Sequence, residues 1–321
     1  MSENRNGVKA HLVAFFQVWN PSGGEEAVYH QLVHHGLLAF YEMALRELGQ
    51  WQHCPKKLQE NITHGLRAQV TANIQLARLQ DEVVNILRQN HIAFIPLKGS
   101  VLSERLYQNA LLRSSGDVDI LIQNGDYERT MSQLKNNGFK QLDPNKETFY
   151  RQRHFHIPLR HEHVPGVLEL HWNLSDGRVV FDIPGIFSRT QKIILSDQEV
   201  LVMDPTDELL YLMYQHGCHS FLGRKSWILD INQFVKNFGS QIKKDLFLDR
   251  MSKWRLKNFV QTSRYYCRKF FSCPEFEQGQ VTRLSRWLVD HRHKKWARQF
   301  LSLNLIQQSR DQIRFLWRRL G

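Results

Sequence analysis

The most constraining feature of this 321-residue chain is the short run from Asp117 to Ile122, which begins with aspartates alternating with branched apolar residues. A period of two predicts a β-strand, so Asp117 and Asp119 share one face and Val118 and Ile120 share the other. Two carboxylates held this close repel each other unless a cation or a proton lies between them. The run therefore predicts a sheet with one buried face and a cation-dependent site on the other.

A Lys98-Gly99-Ser100 turn precedes this run, between a predicted strand over 92–97 and a predicted helix over 101–109. Glycine lets the backbone approach a ligand closely, and the N-terminus of a helix offers free N–H groups to an anion. Ser100 adds a hydroxyl donor and Lys98 a positive charge. The turn therefore predicts a phosphate-binding site opposite the aspartates.

A third carboxylate comes from a later predicted strand over 167–172. Glu169 and His171 share one face of that strand, and Leu168 and Leu170 share the other. Glutamate is disfavoured in strands, so its presence here suggests chemistry. We expect Glu169 to join Asp117 and Asp119, because hard divalent cations such as Mg²⁺ bind carboxylates and substrate phosphates together.

The remaining pattern predicts an α+β fold in three parts, with an N-terminal helical region over 1–90, a small mixed α/β core over 91–204 and a C-terminal helical region over 205–321. Helical spacing predicts helices in the two outer parts. Short apolar runs and a hairpin pattern predict the strands of the core. The expected helices are 25–49, 55–90, 127–137, 228–238, 246–271 and 283–320, and the further expected strands are 139–142, 148–151, 155–160, 192–195 and 200–203.

The chain has a net charge of +12, and this excess lies in residues 251–321, which hold 16 Lys or Arg against 4 Asp or Glu. Such asymmetry indicates an anionic partner, or else a solubilising helix face. Trp287, Trp296 and Trp317 lie among these cations. Interleaved aromatic and basic residues can bind nucleic acid, whereas packing of the tryptophans inward is the ordinary alternative.

Composition excludes several classes of protein. Hydrophobic residues make up 42% and charged residues 23%, which is typical of a globular protein rather than a disordered one. The four cysteines form no CxxC pair, which argues against a zinc ribbon and fits free thiols in a reducing compartment. Because no signal peptide and no stretch of ~20 apolar residues is present, we expect a cytoplasmic protein.

Several motifs in this order resemble a known family. The chain resembles the nucleotidyltransferase superfamily of DNA polymerase β type and, more closely, the bacterial family of uncharacterised nucleotidyltransferase-like proteins. The resemblance covers residues 92–235. The matching residues are Lys98-Gly99, Tyr107, Arg113, Asp117 and Asp119, Leu170-His171-Trp172, His216 and His219, and Trp227 to Asp230.

The resemblance implies a nucleotidyltransferase-like core and a role for each matching residue. Gly99 and Ser100 would bind the triphosphate of an NTP donor such as ATP. Asp117 and Asp119 would ligate Mg²⁺ or Mn²⁺. Glu169 would be either a third metal ligand or the base for the attacking group.

Further cations are expected to help bind the nucleotide. These are Lys98 and Arg113 beside the two main motifs, and His216 and Lys225 on the later helices. His216 and Lys225 would contact phosphate or acceptor if they face the cleft. The alternative for these two is a role at helix ends.

Together these features predict metal-dependent transfer of an NMP group from an NTP to a hydroxyl or amine acceptor, with a tRNA-like nucleic acid or another anionic molecule as a candidate partner. One alternative is a non-catalytic nucleotide-binding or accessory protein. The other is a zinc hydrolase built on His154, His156, His161 and His163, which alternate on predicted strands. Exposed strand-edge histidines are the more common explanation of such a pattern.

Overall fold

The computed structural model describes residues 2–175, 177, 179–195, 198–219 and 224–271. The predicted helix over 283–320, and most of the basic C-terminal region with it, lies outside the described residues. Within them, helices flank a five-stranded mixed sheet, which confirms the predicted α+β fold class. No helix in these ranges combines the length and the apolar character needed to cross a membrane.

The N-terminal region folds into more helices than the pattern predicts. Gly36 has a φ of 66° in the left-handed region, which favours glycine and ends a helix. The single helix expected over 25–49 is therefore two helices. The four helices are α1 (Ser2–Val18), α2 (Glu25–His35), α3 (Leu38–Glu47) and α4 (Lys56–Gln89).

The central sheet has the strand order β1-β2-β5-β4-β3. Strands β2 and β5 run parallel, whereas the other neighbouring pairs are antiparallel. Helix α5 (Gly99–Tyr107) connects β1 to β2, and α6 (Tyr127–Asn136) connects β2 to β3. The strands are β1 (Phe94–Pro96), β2 (Val118–Ile122), β3 (Phe139–Gln141), β4 (His156–His161) and β5 (Leu168–His171).

One predicted strand is wrong. Residues 148–151 lie within helix α7 (Glu147–Arg153) between β3 and β4. The aromatic residues there favour a strand only when they can pack against neighbouring strands. Helix α7 has no fully buried residue: Phe149 is 49% exposed, and Tyr150 is only partly buried against the cluster of α4 and α6.

The second half begins with short elements and then becomes helical. Strands β6 (Gln191–Leu195) and β7 (Gln198–Val202) form the predicted hairpin, after the short helix α8 (Ile183–Ser188). The helix predicted over 246–271 is interrupted at Arg255, which has a φ of 60°. The helices after the hairpin are α9 (Pro205–His219), α10 (Ser226–Phe238), α11 (Lys244–Lys253) and α12 (Lys257–Phe270).

The sheet lies between two hydrophobic clusters. On one face, Ile120 and Leu170 pack with α4 and α6. On the other face, Leu121 joins a larger cluster that draws on the N-terminal helices and on α9, α10 and α12. Because side chains alternate along β2, Asp119 lies on this second face, beneath the C-terminal helices.

Candidate active site

Three adjacent strands bring four polar side chains to one face of the sheet. Asp119 on β2 is the register partner of Glu169 on β5, and His171 lies two residues beyond Glu169 on the same face. His156 on β4 is the antiparallel partner of His171. We call Asp119, Glu169, His156 and His171 the polar cluster.

Asp119 is the buried centre of the polar cluster. Its Oδ2 lies 3.2 Å from Lys98 Nζ, and its Oδ1 lies 3.1 Å from His171 Nε2. Burial alone would raise the pKa of Asp119, but the lysine charge and the bond to His171 hold that pKa below its usual range. The carboxylate is therefore ionised at neutral pH, with its two oxygens paired with Lys98 and His171.

The turn before α5 presents Lys98 to this carboxylate. The backbone amide of Leu97 donates to the carbonyl oxygen of Asp119 at 3.0 Å, which fixes the start of the turn. Gly99 has a φ of 64°, a conformation that a side chain would strain. Burial alone would lower the pKa of Lys98, but the charge of Asp119 raises this pKa by more. The net pKa is above the ordinary value, so the lysine remains charged at neutral pH.

The predicted phosphate turn and Asp117 line one small cleft. Gly99, Ser100, Arg113 and Asp117 contribute to its walls, together with Gln80 of α4. Ser100 Oγ donates to Gln80 Oε1 at 3.2 Å. A phosphate that reached Ser100 would compete with this amide for the hydroxyl.

The two histidines differ in protonation. Burial, with a smaller effect of the His171 charge, lowers the pKa of His156 to about 4, so this imidazole is neutral at pH 7. Burial also lowers the pKa of His171, but its bonds to Asp119 and Glu169 raise it above the ordinary value. Glu169 Oε2 lies 3.7 Å from Nε2 of each ring. The polar cluster therefore combines carboxylate oxygens with one neutral and one readily protonated imidazole.

Comparison with models of protein families shows which family the chain belongs to. A family model described as an uncharacterised nucleotidyltransferase matches residues 21–272, most of the chain. The chain belongs to this family of uncharacterised nucleotidyltransferases. A search of curated proteins gives no match.

Solved structures with similarity to this chain are distant in sequence. The antibiotic-resistance factor ANT(2'')-Ia, in its solution structure, is 6% identical with a TM-score of 0.40, over 61% of this chain and 99% of its own. An antigenic nucleotidyltransferase-like protein from Paracoccidioides brasiliensis is 13% identical with a TM-score of 0.38, over 66% of this chain and 96% of its own.

The buried side chain of Tyr211 on α9 lies beside the polar cluster. Its hydroxyl has no hydrogen-bond partner among the described residues. Burial raises its pKa, and the charges of Lys98, Asp119 and Glu169 act on the same group. The sequence pattern did not reveal Tyr211, because helical spacing alone makes it an ordinary core residue of an apolar helix.

Arg113 has a different main partner from the predicted one. Its Nε donates to Asp230 Oδ2 at 2.7 Å, and the hydroxyl of Tyr107 donates to Asp230 Oδ1 at 2.8 Å. Three residues that carried the family resemblance thus form one buried network between α5, the segment before β2, and α10. Arg113 also lines the cleft, so it fixes the cleft wall while its charge is paired with Asp230.

The structure does not bring His216 and Lys225 to the polar cluster, which corrects the expectation for both. His216 Nδ1 lies 2.9 Å from Ser263 Oγ, at the contact between α9 and α12. Lys225 Nζ lies 2.7 Å from His35 Nε2 and 4.9 Å from the ring centre of Trp19. Both side chains therefore contact neighbouring helices, at two different helix–helix contacts.

The predicted histidine cluster is divided. Nδ1 of His161 accepts backbone N–H groups from His163 at 3.1 Å and Val164 at 3.0 Å, so His161 stabilises a turn. The ring of His154 packs against Tyr150. His156 alone among the four joins the polar cluster, so the four histidines do not form the zinc site of the alternative hypothesis.

Proposed function

We propose that this protein transfers an NMP group from an NTP to a hydroxyl or amine acceptor and releases pyrophosphate, with Mg²⁺ or Mn²⁺ as the cation. The observation that carries the proposal is that Asp117 and the Gly99-Ser100 turn line one cleft, while Asp119 and Glu169 are register partners beside it. Its membership of a nucleotidyltransferase family supports the same reaction.

The residues present fit a divalent cation. Asp119 is buried and ionised, and Glu169 is its partner on the neighbouring strand. Asp117 lies two residues before Asp119 and is half-buried. These three carboxylates would hold the cation. When bound, it would neutralise charge on the phosphates and on the oxygens that enter and leave phosphorus.

The chain's own groups would position the donor. Backbone N–H groups at the start of α5 and the hydroxyl of Ser100 are placed to bind phosphate oxygens. Lys98 carries a fixed positive charge at the same turn. The acceptor oxygen or nitrogen bonds to the α-phosphorus as the bond from that phosphorus to the pyrophosphate oxygen breaks, and the acceptor's proton passes to solvent.

A second function is favoured by one observation. Both oxygens of Asp119 already have partners, Lys98 and His171. This pairing is what a protein that binds nucleotide without turnover would keep. Nucleotide binding and catalysis must therefore be measured separately.

The first measurement is the melting temperature with Mg²⁺ and each of ATP, CTP, GTP and UTP. A nucleotide at 100 times its Kd stabilises the folded state by about 2.7 kcal/mol. We expect a Mg²⁺-dependent increase with at least one nucleotide, lost in Asp117→Ala/Asp119→Ala and kept in the matched control Glu128→Gln, whose side chain is exposed on α6. If no nucleotide raises the melting temperature, the proposal is wrong.

Pyrophosphate release then separates the two functions. We expect wild type to release pyrophosphate from the bound nucleotide, with water as the poorest acceptor, and Asp119→Asn to bind the same nucleotide without release. Binding without release in wild type, with water, alcohols, amines and RNA each offered as acceptor, would support the non-catalytic function.

The acceptor is proposed from charge. Residues 251–321 carry the chain's net positive charge, and Lys253, Arg255 and Lys257 are exposed in their described part. A polyanion such as a tRNA-like RNA fits this surface because binding to phosphates releases counterions. This part of the proposal predicts that RNA binding weakens steeply as salt concentration rises.

A further inference from the structure

The proposed reaction makes no use of the two histidines in the polar cluster. His156, Glu169 and His171 each offer a ligand atom, and these three atoms lie within 4.8 Å of one another. Two imidazoles and one carboxylate are a donor set found in catalytic zinc sites. This set is different from the oxygen-only ligands that Mg²⁺ prefers.

The spacing of the donors is close to that of a bound ion. Around a tetrahedral Zn²⁺ with ligands at ~2.1 Å, neighbouring ligand atoms are about 3.4 Å apart. Nε2 of His156 and Nε2 of His171 each lie 3.7 Å from Glu169 Oε2. Small side-chain rotations are therefore sufficient to bring the two Nε2 atoms and Glu169 Oε2 to binding distance of one cation. Asp119 Oδ1, at 3.1 Å from His171 Nε2, lies in reach as a fourth donor.

The backbone holds these donors in place. His156 and His171 are register partners on β4 and β5, and Glu169 precedes His171 by two residues on the same face. A site on adjacent strands needs little reorganisation when a metal binds. The side chain of His171 is 4% exposed, whereas those of His156 and Glu169 are 21% and 22% exposed, so the cluster is open to solvent on one side.

The charge of the cluster also favours a cation. Three carboxylates, those of Asp117, Asp119 and Glu169, act on Lys98, which contacts Asp119.

Nδ1 of His156 and Nδ1 of His171 are buried, and neither has a hydrogen-bond partner in the described part of the chain. Neither ring is therefore held in place by a structural hydrogen bond from its second nitrogen.

We propose that His156, Glu169 and His171 bind a divalent transition-metal cation of the Zn²⁺ and Co²⁺ class, at a site that adjoins the Asp117–Asp119 pair. Imidazole ligands favour such ions over Mg²⁺, which prefers oxygen ligands. The inference shares Glu169, and Asp119 as the fourth donor, with the proposed function, and does not otherwise rest on it. Metal alone, without nucleotide, tests it.

The test is titration of metal-free protein with Co²⁺, using protein without a polyhistidine tag. Nitrogen ligands change the visible absorption of Co²⁺ from that of the hydrated ion. We expect one Co²⁺ per chain with a changed spectrum, displaced by an equal amount of Zn²⁺ and retained in a large excess of Mg²⁺. A spectrum identical to that of hydrated Co²⁺, or displacement by equimolar Mg²⁺, overturns the proposal.

Variants assign the ligands. His156→Ala and His171→Ala should each weaken Co²⁺ binding by at least tenfold, whereas His154→Ala, a neighbour outside the cluster, should stay within twofold of wild type. Because His171→Ala removes a partner of buried Asp119, His171→Gln and the melting temperature in EDTA control for folding. Unchanged Co²⁺ affinity in folded His156 and His171 variants contradicts the proposal.

The same titration separates this inference from the proposed function. Asp117→Ala should keep Co²⁺ binding and lose the Mg²⁺-dependent effect of nucleotide. In the wild-type protein, Co²⁺ binding without any stabilisation by nucleotide supports the metal site and contradicts only the transferase. Absence of Co²⁺ binding with nucleotide stabilisation intact contradicts only the metal site.

Discussion

At the scale of single residues, His11 on α1 links stability to pH. Its Nδ1 lies 2.8 Å from Gln233 Oε1, and its ring packs against Phe271. Burial, with a smaller effect of the Lys236 charge, lowers its pKa to about 4. In the unfolded chain the same group has its ordinary pKa, about 6.5. Between those values the unfolded chain takes up a proton that the folded protein does not, so this residue destabilises the fold as pH falls.

We therefore expect His11→Gln to lose less stability than wild type on going from pH 7.5 to pH 5. Between pH 7.5 and pH 5, wild type should lose about 2 kcal/mol more of its unfolding free energy than His11→Gln loses. Urea denaturation at both pH values measures it. His64→Gln, an exposed histidine on α4, is the control and should follow wild type. Equal pH dependence in wild type and His11→Gln would show that His11 is not held neutral.

Some residues of the site could be predicted from the sequence, and others could not. Asp119 and Glu169 follow from alternation along single strands, which a sequence displays directly. The approach of His156 to His171 depends on β4 pairing with β5, and strand order is not visible in one sequence. Tyr211 joins the site through helix packing, which periodicity describes only as burial.

At the scale of elements, the contact between α9 and α12 depends on Gly217. A Cβ at this position would lie 2.8 Å from both Cα and Cβ of Phe259 on α12. The first of these atoms belongs to the backbone, so the helices would have to separate. We expect Gly217→Ala to destabilise the protein by about 1–3 kcal/mol through overpacking, more than the ~1 kcal/mol that alanine gains as a better helix former. Urea denaturation measures the change.

Gly239→Ala provides a matched comparison. A Cβ there would lie 3.6 Å from Val235 Cγ1, an ordinary contact, and Gly239 has a φ of −57° that alanine adopts freely. Its stability should remain within ~0.5 kcal/mol of wild type. If both substitutions had the same small effect, the close packing of α9 on α12 would be contradicted.

Element boundaries were harder to predict than element types. The helical spacing over 25–49 and 246–271 is real, but Gly36 and Arg255 adopt left-handed backbone conformations that divide each segment in two. Helix α7 formed where the aromatic residues of 148–151 favoured a strand. Local sequence preference is overridden in these places by the turn and by tertiary packing.

At the scale of the whole molecule, the two outer helical regions share one hydrophobic core. Phe15 of α1 packs against Phe270 and Phe271 at the end of α12, with ring centres 5.6 and 5.5 Å apart. Leu121 of the sheet belongs to the same cluster. The division at residues 90 and 204 remains a prediction about chain organisation, but this packing indicates that the three parts unfold together.

Phe15→Ala tests that cooperativity. Phe15 is fully buried, so its truncation should cost about 3–5 kcal/mol. If the parts form one unit, far-UV circular dichroism and tryptophan fluorescence will shift to the same lower urea midpoint. Hydrogen exchange of the amides of β2, which is distant from Phe15 in sequence, will accelerate as well. Phe149→Ala, an exposed phenylalanine on α7, should leave the midpoint nearly unchanged. Two separate transitions in Phe15→Ala, with β2 still protected, would instead show that the sheet is stable without the helical regions.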